Sequence, residues 1–86
     1  MEIYRKKDIP WRIIDNQALV VNPKTSLIYP LNVTACQIWQ LLDGVKNIKE
    51  IAEIIYNEFE ADKETIQSDV LSFISQLKDA GLIEKI

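Results

Sequence analysis

The spacing of hydrophobic residues changes once along this chain. Up to Tyr29 they fall in short runs, Trp11 to Ile14, Ala18 to Val21 and Ser26 to Tyr29, rich in β-branched and aromatic types. Runs of this kind read as strands when turn-forming residues separate them. Asp15-Asn16-Gln17 and Asn22-Pro23-Lys24-Thr25 are the separators here, and proline helps the second by presetting φ. Tight connections order the three strands as an antiparallel meander, which leaves the third as an edge closed by Pro30. Residues 1–10 precede them as a polar, basic lead-in in which Ile3 and Tyr4 are early apolar residues.

From Asn32 the period becomes that of a helix. Asn32 is a good N-cap, and Ala35, Ile38, Trp39 and Leu42 follow at i, i+3, i+4 and i+7. This predicts a first helix over Val33 to Asp43, with Gly44 as its stop. Val45-Lys46 is a short connection. Asn47 caps a second helix with Glu50 placed to reach back, and Ile48, Ile51, Ala52, Ile55 and Phe59 form its apolar face. Asp62 caps a third, whose face is Ile66, Val70, Phe73, Ile74 and Leu77; Gly81 ends it. Leu82-Ile83 can fold back past that cap, and Leu82 to Lys85 can form a short final strand. Three helices on short connections, the first two joined through Gly44, look like a helix-turn-helix unit.

Composition narrows the function. Eighty-six residues are a single domain, 1–86, and its core is small. There is no histidine and a single cysteine, Cys36, which removes the usual general base, the usual zinc ligand and any intrachain disulfide. An enzyme is not expected, and no metal or cofactor is. Cys36 adjoins the apolar face of the first helix, where a thiol behaves as a small hydrophobe. No run approaches the roughly 20 apolar residues of a membrane span, and the N-terminus is charged throughout, so the expected location is cytoplasmic without membrane contact.

The net charge of −3 is uneven. Residues 1–31 carry five basic and three acidic side chains, and residues 32–86 five basic and ten acidic. A helix that approaches phosphates should be basic, yet residues 62–80 hold Asp62, Glu64, Asp69 and Asp79 against Lys63 and Lys78. Nucleic acid is therefore not the expected partner, although a helix-turn-helix reading keeps a winged-helix DNA-binding or dimerisation module as the alternative.

One block has a more particular pattern. Leu31-Asn32, Thr34-Ala35, Ile38-Trp39 and Leu41-Leu42-Asp43-Gly44, followed later by Asp69-Val70, Phe73-Ile74, Leu77 and Gly81-Leu82, resembles the signature of the PqqD-like family, also called peptide recognition elements of ribosomal natural-product pathways. With the three strands, the resemblance covers residues 11–84. It implies an α+β, winged helix-turn-helix-like domain, with an N-terminal three-stranded antiparallel sheet followed by three helices. It also implies a non-catalytic chaperone that binds the leader of a precursor peptide and delivers it to a modifying enzyme such as a radical-SAM enzyme or a protease. The leader would add as a strand to the sheet edge, beside the third helix.

The residues themselves point to the same edge. Ser26-Leu27-Ile28-Tyr29 carries no charge, and only Pro30 blunts it. Unprotected edges are liabilities unless something docks on them or covers them; here the N-terminal segment or residues 82–86 are the alternative cover, and a second copy pairing there would give a homodimer. On the third helix, Leu71 lies off the apolar face, flanked by Gln67, Ile74 and Lys78. The expected groove is floored by Leu71 and Ile74 with either Leu27 and Tyr29 or Ile28 opposite, according to the strand register, and Lys63, Gln67 and Lys78 set register at its rim.

Overall fold

The computed structural model describes residues 2–59 and 61–85. In chain order the elements are β1 (Glu2–Arg5), β2 (Trp11–Ile14), β3 (Gln17–Asn22), β4 (Leu27–Leu31), α1 (Val33–Leu41), β5 (Asp43–Asn47), α2 (Ile48–Glu58), α3 (Lys63–Asp79) and β6 (Ile83–Lys85). The strands form two antiparallel sheets, ordered β2-β3-β4 and β5-β1-β6. The α+β architecture and the three-stranded meander match the sequence reading. The second sheet does not: residues 1–10, read as a lead-in, supply its central strand, and Val45-Lys46, read as a connection, lies inside β5. Ile3 explains the first difference, because it is 1% exposed and belongs to the core.

The β2–β3 turn is a two-residue one. Asp15 and Asn16 both have positive φ, 52° and 65°, the geometry that matches the twist of the strands it joins. The β3–β4 turn ends on Ser26 at φ 61° with its N–H on the Asn22 carbonyl. Ser26 is thus a turn residue, and β4 runs from Leu27 through Pro30 to Leu31 rather than stopping before Pro30.

α1 starts as expected, with the Asn32 side chain accepting from the Ala35 N–H at 2.9 Å. It ends sooner, at Leu41, with Leu42 as its C-cap. Asp43 then accepts from the backbone N–H groups of Val45 and Lys46 and pairs with the Lys46 ammonium, which bends the chain into β5. The Lys46 contact, ahead of the backbone N–H groups, holds the Asp43 carboxyl down to about 2. Gly44 is consequently a strand residue at φ +84°, and a Cβ there would stand 3.3 Å from the Tyr4 Cβ. A strand between α1 and α2 replaces the expected turn of a helix-turn-helix. α2 carries the full capping box between Asn47 and Glu50, and Asp62 caps α3. Past α3, Gly81 (φ +74°) and Leu82 donate to the Lys78 and Leu77 carbonyls, and the Leu82 side chain is fully buried.

The three helices and the inner face of the β2-β3-β4 sheet share one core. Trp39, Leu42, Ile51, Leu82 and Val20 are all fully buried in it. Trp39 meets the ring of Trp11 edge-on, with centroids 6.1 Å apart. Arg5 is held too: its guanidinium donates to the carbonyls of Trp39 and Gln40 at the end of α1 and lies 5.1 Å from the Trp11 ring centre. Among the described residues, no helix is long and apolar enough to cross a membrane.

Candidate functional site

The hydrogen-bonding parity of the first sheet defines what its edges offer. A two-residue turn makes Ile14 and Gln17 a hydrogen-bonded pair. Successive strand residues direct their backbone groups to opposite sides, so Gln17, Leu19 and Val21 face β2. The Val21 N–H, which donates to the Pro10 carbonyl at 3.0 Å, agrees. Ala18, Val20 and Asn22 must then face β4, and their partners there are Leu31, Tyr29 and Leu27. Ile28 and Pro30 are left pointing outward. Pro30 has no N–H to lose, which is why proline is tolerated at this position of a strand. The free edge of β4 thus presents the N–H and C=O of Ile28 and the C=O of Pro30. Among the described residues no strand pairs with it. The N-terminal segment and residues 83–85, the alternative covers, pair with each other instead.

Beside this edge lies a groove of about 330 Å³, lined by Tyr29, Pro30 and Leu31 of β4, Asn32 and Ala35 at the start of α1, and Phe73, Gln76, Leu77 and Ala80 on the last turns of α3 and its cap. Its walls are mainly apolar, and Asn32, Gln76 and the Tyr29 hydroxyl are its polar groups. Among the described residues, one side-chain hydrogen bond joins the sheet to the α3 cap beside the groove. Asn22, 7% exposed, donates from Nδ2 to the Ala80 carbonyl at 2.8 Å, while its Oδ1 accepts from the Lys24 N–H.

Of the eight residues expected from sequence, the structure gathers three on β4. Leu27 and Ile28 are 55% and 61% exposed, and Tyr29 lines the groove. It does not bring the α3 residues to this groove. Ile74 is 3% exposed and sits in the core; Leu71 is exposed, as are Lys63, Gln67 and Lys78, but none of them lines the cavity. The reason is which flank of α3 turns toward β4. At roughly 100° per residue from Ile66, Phe73, Ala80 and Gln76 lie up to about 80° to one side, and Leu71 about 140° to the other. Ile74, about 80° round on the Leu71 side, is buried. Sequence marks Leu71 because it is an apolar residue off the core face. The flank that faces β4 carries Gln76 and Ala80, which have no such mark.

The structure is similar to three solved ones. It matches TbiB1 in complex with the TbiA(beta) leader peptide with a TM-score of 0.86, at 24% identity over 96% of both chains. It matches lasso peptide synthetase B1 complexed with the leader peptide with a TM-score of 0.86 and 20% identity, over 99% of this chain and 100% of that one. The third is the solution structure of the PqqD truncation of Methylobacterium extorquens PqqCD, described as a stand-alone recognition element for ribosomally synthesised and post-translationally modified peptides. It matches at 0.77 and 21% identity, over 96% of this chain and 88% of that one. At these identities the likeness is one of fold. No curated protein matches the chain. The sequence pattern of the family Coenzyme PQQ synthesis protein D (PqqD) matches residues 17–83, and the chain belongs to that family.

Proposed function

We propose that this protein binds the leader segment of a ribosomally made precursor peptide and presents the attached peptide to a modifying enzyme, itself taking no covalent part. One observation carries the proposal: an uncharged edge strand, unpaired among the described residues, stands over an apolar groove of about 330 Å³. A leader lying antiparallel to β4 exchanges both backbone bonds with Ile28 and donates a third to Pro30. Each contributes about 0.5–1.5 kcal/mol. Alternate leader residues, those opposite Leu27, Tyr29 and Leu31, point to the inner face and into the groove. Each apolar side chain fully buried there adds about 1.5–3 kcal/mol. That two proteins of the same fold were solved in complex with leader peptides supports this reading, as does membership of the family.

DNA binding is the weaker reading. Arg5, part of the basic cluster near the N-terminus, is committed to the end of α1, and α3 is acidic. We assign the enzyme partner to the radical-SAM or protease class and the location to the cytoplasm. The test is titration of labelled leader peptides, taken from short reading frames beside the gene, against the purified chain. Micromolar binding with amide shifts at Leu27–Leu31 and Phe73–Ala80 is expected. No binding by any of them at high micromolar protein overturns the reading.

A further inference from the structure

The same parity that frees Ile28 on β4 frees Trp11 and Ile13 on β2. Arg12 and Ile14 spend their backbone groups on β3, so Trp11 and Ile13 turn both N–H and both C=O outward. Among the described residues none of these four groups has a partner, and no strand pairs with this edge. It offers two complete backbone pairs where β4, cut short by Pro30, offers one and a half. All four β2 residues are exposed. Below the edge is a second cleft, about 350 Å³, between Ile13, Asn16 and the flank of α1 formed by Val33, Cys36, Gln37 and Gln40. Like the β4 groove it lies between an edge strand and a helix, but its lining is more polar: Asn16, Gln37 and Gln40 stand beside an apolar patch of Ile13, Val33 and Cys36.

Charge selects what fits. Arg12 is the middle residue of the edge, and its side chain stands on the outer face with Ile14 and Leu19. A strand docked here through Trp11 and Ile13 places one residue in the non-hydrogen-bonded position across from Arg12, where Cβ atoms are only about 4.5–5.5 Å apart. A second copy pairing through the register that uses all four groups would set Arg12 against Arg12, a like-charge contact that is destabilising in directly opposed positions. Arg5, whose guanidinium lies over the Trp11 ring, is spent on the Trp39 and Gln40 carbonyls and leaves Arg12 as the charge that selects the partner. β2 itself carries no carboxylate; Asp15 is in the turn beyond the strand, and Glu58 is hydrogen-bonded to Gln37 on the α1 side.

We infer that the β2 edge is a second strand-docking site, and that its partner is an extended segment of another protein with the pattern apolar–acidic–apolar. The acidic residue sits across from Arg12. Its two neighbours, opposite Trp11 and Ile13, point down into the cleft beside α1. Both ends of the sheet can then be occupied at once, by the leader on β4 and by the acidic segment on β2.

The experiment titrates the isotope-labelled chain, to millimolar excess, with a short capped peptide of alternating Val and Thr bearing one central Glu. The same peptide with Lys in place of Glu is the control. The expected result is amide shifts at Trp11–Ile14 and along Val33–Gln40, with the Glu peptide bound about five-fold or more tightly than the Lys peptide. Arg12→Glu reverses that preference and leaves leader binding on β4 unchanged. Equal affinity for the two peptides, shifts confined to Leu27–Leu31, or no shifts at millimolar peptide overturns the inference, as does a sedimentation profile showing the edge filled by a second copy. The site does not depend on the leader reading: failure of every leader with intact β2 shifts removes that reading alone.

Discussion

Replacing Ile28 with proline tests the edge-strand geometry most directly. The substitution removes one N–H, and parity says that this N–H faces solvent rather than β3. The ladder between β3 and β4 should therefore survive, because its bonds use Leu27, Tyr29 and Leu31. Proline is also compatible with an edge strand. Leader binding, by contrast, loses one of three backbone bonds and leaves the peptide carbonyl opposite without a donor. Together these cost about 1–3 kcal/mol, or roughly 5- to 150-fold in Kd. Ile28→Ala is the control, since it truncates the same side chain on the outer face and keeps the N–H. Fluorescence anisotropy with a labelled leader measures the affinities, and thermal unfolding reports the fold. The expected order is wild type, then Ile28→Ala slightly weaker, then Ile28→Pro much weaker, all three unfolding within a few degrees of one another. Equal binding by Ile28→Pro and Ile28→Ala would refute the parity argument. So would gross unfolding of Ile28→Pro, because it would mean that this N–H belongs to the ladder.

Ala80→Gln fills one end of the groove and should weaken leader binding about ten-fold, whereas Leu71→Glu, on the opposite flank of α3, should change it less than about two-fold; anisotropy on both variants decides between the flanks. Asn22→Leu leaves the Ala80 carbonyl without its donor and should cost about 1–3 kcal/mol of stability in a urea titration. Burial pushes the Cys36 thiol up, so a thiol reagent at pH 8 should modify the native chain far more slowly than the urea-unfolded one. That shift favours the folded state below the usual thiol range, near 8.5, and the benefit declines as pH rises above it, which alkaline unfolding with a Cys36→Ala comparison measures. Asp43 has the opposite sign. Its contribution is present above the usual aspartate range, near 3.9, and is lost as pH falls toward about 2, so acid unfolding of Asp43→Asn should show a shallower pH dependence there than the wild type.

Local signals in the sequence located most of what is local in the structure. Asn32, Asn47 and Asp62 mark three helix starts because a cap is a contact between residues three apart. Gly81 and Leu82 mark the end of α3 for the same reason. The second sheet was illegible because its pairing is distant: Ile3 meets Lys85, and Glu2 meets Asn47. No short pattern announces a strand of four residues whose partners lie 39 or more positions away. Gly44 shows the ambiguity at a single residue. Positive φ serves a helix stop and a crowded strand equally well, and only the nearness of Tyr4 tells them apart. The β4 half of the candidate site was legible from its missing charges. The α3 half was not, because periodicity defines a buried face but says nothing about which flank of it looks toward the sheet.

The Asn22–Ala80 hydrogen bond has a mechanical consequence. It joins the β3–β4 hairpin to the C-terminal end of α3, so the two jaws of the groove share a fulcrum there. Toward Phe73 and Asn32 no such tie joins them among the described residues. The separation of the jaws is therefore set by a hydrogen bond near Ala80 and by apolar contacts alone toward Phe73. For the leader proposed above, a bulky side chain should then be accepted toward Phe73 and refused near Ala80, a gradation in size along the length of the groove.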